Sequence, residues 1–296
     1  RAESRTGATR RISGSTYPRG YPILGGGILC RVKYGGRGSS DLTLAVTAAR
    51  RAATLLREAL GKSAEVEFKG EVDPVTEVDR RVEAEIRRML ITHRPSDDIV
   101  GEEEGGVLPP TGRAWIIDPL DGTVNFIHGL APVSVSVALW EDGAPLVGVV
   151  IEAIHGEEFT AVRGEGAWLD SQPISVSSQA VLTQALVGTG FPYDRRERSH
   201  EYAALVGAVL AECQGVRRRG SAALDLCYVA VGRFDAFWEQ GLAVWDMAAG
   251  ILMVEEAGGK VTGLDGGKVP LDGSLVIATN GSVHDQFGKV LARAVG

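Results

Sequence analysis

Ala114-Trp115-Ile116-Ile117-Asp118-Pro119-Leu120-Asp121-Gly122-Thr123 is the stretch on which the reading of this chain turns. Ala114 to Ile117 reads as a buried strand, an apolar run suited to a pleated surface shielded from water. It leads straight into Asp118, and Pro119, which has no amide hydrogen, forbids simple continuation of the sheet. Asp118 and Asp121 can then converge around a tight turn, while Gly122 and Thr123 offer backbone N–H groups. Hard oxygen ligands beside such amides suit a divalent ion holding a phosphate. Asp-Pro-Leu-Asp-Gly is also good turn chemistry. Against that plainer reading stands Asp118, a carboxylate at the end of a hydrophobic strand, where burial without a partner is costly.

On either side the hydrophobic pattern changes period. Upstream, Leu42, Ala45, Ala49, Ala52, Leu56 and Ala59 recur at helical spacing, with Asp41 as cap and Gly61 as stop. A second helix starts near Val78, with Val82, Ile86 and Met89 on one face and Pro95 beyond its end. Downstream, Val133, Val135, Val137 and Leu139 alternate as in a strand. Asp142-Gly143 then turns the chain into Leu146 to Ile151 as a hairpin. Turn signals at Gly164 to Gly166 and Ser171 to Pro173 extend an antiparallel meander. Beyond residue 183, strands (Ala185 to Gly188, Phe234 to Trp238) alternate with helices (Ser221 to Val231, Val244 to Ala257, Ser282 to Ala294). Helices on an antiparallel sheet followed by an α/β half imply an α+β or α/β layered sandwich. The expected divisions are 1–40, 41–182 and 183–296.

Composition narrows the function classes. With 296 residues, 44% of them hydrophobic and 23% charged, the chain is ordinary globular material, long enough for one large or two modest cores. Three cysteines, Cys30, Cys213 and Cys227, make neither a disulfide framework nor a metal-ligand spacing, so a reducing compartment is expected. No apolar run reaches the roughly 20 residues of a membrane helix. Residues 1–40 hold eight Arg and Lys against Glu3, a net of +7 in a chain of −7, which leaves −14 for the rest. An acidic body speaks against nucleic acid as the main partner. The Gly-, Ser- and Arg-rich segment 1–40 reads as a flexible basic arm, with a docking arm or an organellar transit remnant as the other readings.

Four acidic segments lie where strands and helices end: Lys69 to Asp79, Gly101 to Glu104, Asp118 to Thr123, and Trp245-Asp246. Taken singly, each also has a structural reading. Asp79 closes a Thr-x-x-Asp capping pattern, Glu102 to Glu104 is a solvated charge run, and Asp246 is a helix cap. Gathered, they need cations: two carboxylates about 5 Å apart repel by roughly 3 kcal/mol at an effective dielectric of about 20.

The sequence Trp115 to Phe126 (WIIDPLDGTVNF), with Gly101-Glu102-Glu103, Trp245-Asp246-Met247-Ala248-Ala249-Gly250, Gly220-Ser221-Ala222-Ala223, Lys69 and Asp73-Pro74-Val75-Thr76, resembles the inositol monophosphatase family of Mg²⁺-dependent, lithium-sensitive phosphatases. The resemblance runs from about Asp41 to Gly296 and leaves the basic arm out. It implies a layered α-β-α-β-α sandwich of the sugar phosphatase type and a cytoplasmic homodimer, organellar if residues 1–40 are a transit remnant. By position it implies two or three Mg²⁺ ions. Glu102, Asp118 and the Leu120 carbonyl would hold the first, and Asp118, Asp121 and Asp246 the second, with a weaker third near Glu102. Thr123 and Asp79 would orient the metal-activated water, with Glu102 and Glu103 close by and no covalent intermediate. The amides of Gly122 and Thr123 would grip phosphate. Glu239 would accept hydrogen bonds from substrate hydroxyls in a pocket bordered by Gly220, Ser221 and Ala222, with Asp121 and Asp246 completing the substrate contacts. Lys69 would balance the acidic cluster.

The implied activity is hydrolysis of a small phosphate monoester, inositol 1-phosphate first. Fructose bisphosphate, histidinol phosphate and a 3′-phosphonucleotide are the alternatives within the family. Arg217-Arg218-Arg219 would suit a second phosphate or a solvated strand. Three other classes fit worse. A non-catalytic regulatory member need not keep both Thr123 and Asp79. A dinucleotide-binding oxidoreductase lacks its glycine fingerprint, since Gly164-Glu165-Gly166 has no third glycine. A zinc hydrolase is disfavoured by five scattered histidines.

Overall fold

The computed structural model describes residues 10–11, 39–60, 65–68 and 74–295. A small antiparallel sheet has β2 (Glu65–Phe68) at its centre, paired with β1 (Arg10–Arg11) on one side and β3 (Pro74–Thr76) on the other. The remainder of the expected arm, together with Gly61, Lys69 and Asp73, lies outside the described residues.

Two long helices form the first layer. The apolar stripe of α1 (Ser39–Ala59) buries Leu42, Ala45, Ala49, Ala52 and Leu56, and α2 (Glu77–His93) buries Val82, Ile86 and Leu90. Alanines on α1 allow close approach, and burying each Leu or Ile removes apolar surface worth about 1.5–3 kcal/mol. Asp41 departs from expectation. It sits inside the first turn of α1 and accepts from Arg94 Nε at 2.8 Å and Arg113 Nη2 at 2.9 Å, tying the two helices to the sheet.

That sheet has seven strands. In chain order they are β4 (Asp98–Gly101), β5 (Arg113–Asp121), β6 (Ser134–Glu141), β7 (Ala144–Glu152), β8 (Glu158–Val162), β9 (Gly166–Leu169) and β10 (Gln172–Pro173). It is the expected meander with one exception, β4, which runs parallel to β5. The hairpin between β6 and β7 turns at Asp142 and Gly143, both with positive φ (52° and 71°), the turn hand that matches strand twist. Alternation sorts the side chains. Trp115 and Ile117 on β5, with Val135, Val137 and Leu139 on β6, pack under α1 and α2, whereas Ile116, Ala138 and Trp140 face the other way. Asp118 follows Ile117 and therefore opens on that second face.

A middle helical layer covers this second face. It consists of α5 (Ala222–Ala230) and α6 (Val244–Glu256), whose Leu226, Met247, Ala249, Leu252 and Met253 are buried against both sheets. The second sheet follows: β11 (Leu186–Thr189), after the short turn η1 (Leu182–Gln184), then β12 (Gly215–Arg217), β13 (Ala236–Glu239), β14 (Lys260–Gly263) and β15 (Val276–Thr279), in the order β12-β11-β13-β15-β14. Its far face is closed by α4 (Ser199–Leu210) and α7 (His284–Val295) around Val187, Trp238, Ile277 and Phe287. Helices, sheet, helices, sheet, helices: the five layers expected from the resemblance are present. The last helix, α3 (Thr123–Ile127), is a single turn directly after β5.

Candidate functional site

The end of β5 builds the site. Asp118 pairs with Ser136 in register, the ladder is interrupted at Pro119 and Leu120, and pairing resumes at Asp121 opposite Ser134. The interruption rotates two carboxylates into one place. Asp118 turns back to accept the Leu120 amide at 3.0 Å. Asp121 is held mainly by the second half of the chain, accepting from Ser221 Oγ at 2.6 Å, Ala223 N at 2.9 Å and Ala222 N at 3.3 Å, and also from Ser134 Oγ on β6 at 3.3 Å. Ser221 in turn caps α5, accepting from Leu224 N. Gly122 then turns with φ 97°, and a Cβ there would lie 3.0 Å from Pro132 O and 3.1 Å from Gly220 O. Glycine is required at 122 for both reasons.

Asp246 arrives from the first turn of α6, where its Oδ2 accepts the Ala243 amide at 2.7 Å. The capping contact expected of Asp246 is thus present. Glu102 comes from the turn after β4, its amide bonded to Ile117 O at 3.2 Å, one residue before Asp118. On the other side, Thr123 Oγ1 reaches Asp79 Oδ1 at 3.4 Å and Leu120 O at 3.1 Å. Asp79, in the first turn of α2, is buried.

Electrostatics marks the cluster as unusual. Burial pushes the Asp118 carboxyl well above the ordinary carboxylate range, and Glu102, Asp121 and Asp246 push it further. Burial likewise raises Asp246 well above its ordinary value, with Asp121 and Glu102 adding to the effect and the Ala243 amide opposing it. Asp121 is also raised by burial, against the hydrogen bonds from Ser221, Ala223, Ala222 and Ser134. Among the described residues no three His, Cys, Asp or Glu side chains already close into a metal cage. The acids confront one another at Coulombic range instead. All the donors are hard oxygens, and the charges weighing most on Asp118 are negative. That set suits a divalent cation such as Mg²⁺.

Beside these acids lies a cavity of about 360 Å³ bounded by Asp121, Gly122, Thr123, Gly220, Ser221, Ala222 and Asp246, with Glu239 at its far wall. Glu239 is raised well above its ordinary value by burial, with Asp225 adding to the effect and Arg218 opposing it. A larger cleft of about 760 Å³ runs between η1 and α7, but it is open and gathers only Glu212 among acids. Asp121 of the β5 turn and Asp246 border the smaller one. Of the three adjacent arginines, Arg218 lines this cavity and Arg219 stacks on Tyr228 with its guanidinium carbon 3.9 Å from the ring centre.

Two features escaped the sequence. Asp225, on α5, is a second buried acid on the cavity wall, and its Oδ1 has no hydrogen-bond partner among the described residues. Arg195, after β11, reaches the same wall from a loop with no motif of its own. Glu103 stands on the Glu102 turn, where its amide is bonded to the buried Glu83.

Comparison with known proteins bears on the family and the fold. A family model described as "Inositol monophosphatase family" matches residues 39–295. An inositol-1-monophosphatase of Rhizobium meliloti is 39% identical over 260 residues, 87% of this chain and 98% of that protein. A Nus factor SuhB of Pseudomonas aeruginosa is 42% identical over 247 residues, 81% of this chain and 91% of its own. The solved inositol monophosphatase of Anabaena superposes with a TM-score of 0.79 at 38% identity, covering 86% of this chain and 96% of that one. With the β5 turn, the five layers and the matched span in accord, this chain belongs to the inositol monophosphatase family.

Proposed function

We propose that the protein is a Mg²⁺-dependent phosphoric monoester hydrolase acting on a small polyol phosphate, with inositol 1-phosphate as its first substrate. The observation that carries this reading is the convergence of buried Asp118 and Asp121 with half-buried Asp246, three aspartates whose charges oppose one another. A fold does not keep such an arrangement for stability. In this reading Glu102, Asp118 and the Leu120 carbonyl would hold one ion, Asp118, Asp121 and Asp246 would hold another, and a third would sit near Glu102. Bound there, Mg²⁺ supplies positive charge for phosphate oxygens and acidifies water.

The chain's own residues do the rest. Thr123 Oγ1 would take a proton from the attacking water as it passes its own to Asp79 Oδ1, 3.4 Å away. Glu102 and Glu103 flank that water. At the start of α3 the amides of Gly122 and Thr123 have no intrahelical acceptor and are available to a phosphate oxygen. Glu239 takes a substrate hydroxyl at the cavity wall bordered by Gly220, Ser221 and Ala222. The Thr123–Asp79 contact favours a working enzyme over a non-catalytic family member, which would have no use for it.

Inhibition by Li⁺, a homodimer and a cytoplasmic location belong to the same reading, and no helix among the described residues is long and apolar enough to cross a membrane. The test is phosphate release from inositol 1-phosphate, fructose bisphosphate, histidinol phosphate and a 3′-phosphonucleotide, with and without Mg²⁺ and Li⁺. The reading expects Mg²⁺-dependent, Li⁺-suppressed release that is fastest from inositol 1-phosphate. Release from none of the four contradicts it.

A further inference from the structure

Glu83, on α2, is the most deeply enclosed carboxylate near the site, with no exposed surface, and nothing in the proposed chemistry uses it. Its partners explain its position. Oε2 accepts the Glu103 amide at 2.8 Å, Oε1 accepts the Glu104 amide at 3.0 Å, and Oε1 also takes Arg87 Nε at 2.8 Å. Arg87 reaches the same turn independently, donating from Nη2 to Gly105 O at 2.9 Å and pairing with Glu104 at 3.4 Å. The turn is closed on itself by Gly101 and Gly105, which exchange amide hydrogen bonds at 3.0 and 3.1 Å. It is also shaped to admit the carboxylate. A Cβ at Gly101 would lie 2.2 Å from Glu83 Oε1 and 2.8 Å from Arg87 Nη2.

Glu102 is therefore gripped on both sides. Its own amide is fixed to Ile117 O on β5, and the next two amides are fixed to Glu83 on α2. An ordinary i,i+4 ion pair within one helix would join Glu83 to Arg87 and stop there. This one spends its remaining acceptor capacity on a three-residue turn whose first member, Glu102, bears electrostatically on Asp118. Buried charges are expensive unless every partner is present, and groups that orient a ligand-bearing side chain typically change metal affinity by about 10–100-fold when altered.

We infer that Glu83 is a positioning residue: by holding the Glu103 and Glu104 amides it fixes Glu102 towards Asp118, and so sets the affinity of the site for a divalent cation. The inference rests on the proposed metal-dependent function. Its test is Mn²⁺ binding followed by electron paramagnetic resonance of the free ion, together with amide hydrogen exchange across residues 101–105. In wild-type protein, Mn²⁺ should slow exchange of the Glu103 and Glu104 amides, because coupling between two sites is reciprocal. Glu83→Gln, which replaces one acceptor oxygen by a donor facing an N–H, should weaken Mn²⁺ binding about ten-fold or more. It should raise the Mg²⁺ concentration for half-activation in step, and leave the substrate KM at saturating Mg²⁺ within about two-fold. Equal Mn²⁺ affinity in wild type and a folded Glu83→Gln overturns the assignment alone. Should that variant not fold, wild-type exchange at Glu103 and Glu104 that is indifferent to Mn²⁺ overturns it equally. Wild-type protein that takes up no Mn²⁺ at all overturns the functional reading along with it.

Discussion

Ser221 Oγ donates to Asp121 Oδ2 at 2.6 Å, joining the end of the first sheet to the start of the middle helical layer across a hundred residues of chain. The same hydroxyl oxygen caps α5. One side chain thus holds an acid of the site and starts a core helix. Ser221→Ala should cost about 1 kcal/mol of stability from the lost cap and on the order of ten-fold in turnover from the loosened Asp121. Ser221→Thr should restore most of both. Urea denaturation and phosphate-release kinetics check the pair, and an alanine variant with unchanged turnover would detach Ser221 from the site.

Asp118→Asn separates function from stability. The amide keeps an oxygen for the Leu120 amide, which Asp118 accepts at 3.0 Å, and removes a charge opposed by Glu102, Asp121 and Asp246. Activity should vanish. The melting temperature of the metal-free protein should rise by a few degrees, since each 1 kcal/mol is about 2–4 °C in a chain of this size. A lower melting temperature would mean that the acids do not burden the fold.

Gly190 packs directly on Glu239: a Cβ there would lie 2.1 Å from Glu239 Oε1 and 2.2 Å from Oε2. Gly190→Ala should push that carboxyl off the cavity wall and raise the substrate KM more than it lowers kcat. A pure kcat defect in steady-state kinetics would place Glu239 in the chemistry rather than in hydroxyl recognition.

His284 supplies a pH-dependent stability. Both ring nitrogens are within hydrogen-bond reach of buried hydroxyls, Thr262 Oγ1 at 3.0 Å and Thr279 Oγ1 at 2.9 Å. Burial depresses its pKa below the ordinary histidine value, Lys260 adds to this, and Asp285 opposes it. Between the folded value and the unfolded one of about 6.5, the unfolded chain binds more protons, so stability rises with pH across that window and falls as pH drops through it. Denaturation midpoints at pH 7.5 and 5.5 should differ more for wild type than for His284→Asn. Equal differences would remove His284 as a source.

Much of this arrangement was written locally. Ile117-Asp118-Pro119 marks a strand end carrying a polar group, and the periods of 2 and 3.6 around it gave the meander and both first-layer helices. What local pattern cannot carry is burial decided by distant partners. Glu83 with Arg87 has the spacing of a solvated helical pair, and only the turn after β4, folded over that face, encloses it. Asp41 looks like a cap because Arg94 and Arg113, which make it a clamp, come from other elements. Asp225 sits in the first turn of α5, where an acid is ordinary; its enclosure depends on β13 and the arginines before the helix. The parallel pairing of β4 with β5 was equally hidden, since a four-residue strand carries no signal of direction.

The account depends on Glu102, Asp118, Asp121 and Asp246 sharing divalent cations. Anomalous diffraction from crystals soaked in Mn²⁺ measures that directly. The account predicts at least two peaks among these four side chains, with Asp118 touching both, and none in crystals of Asp118→Asn. Wild-type crystals with the four carboxyls in place and no anomalous density between them would contradict it.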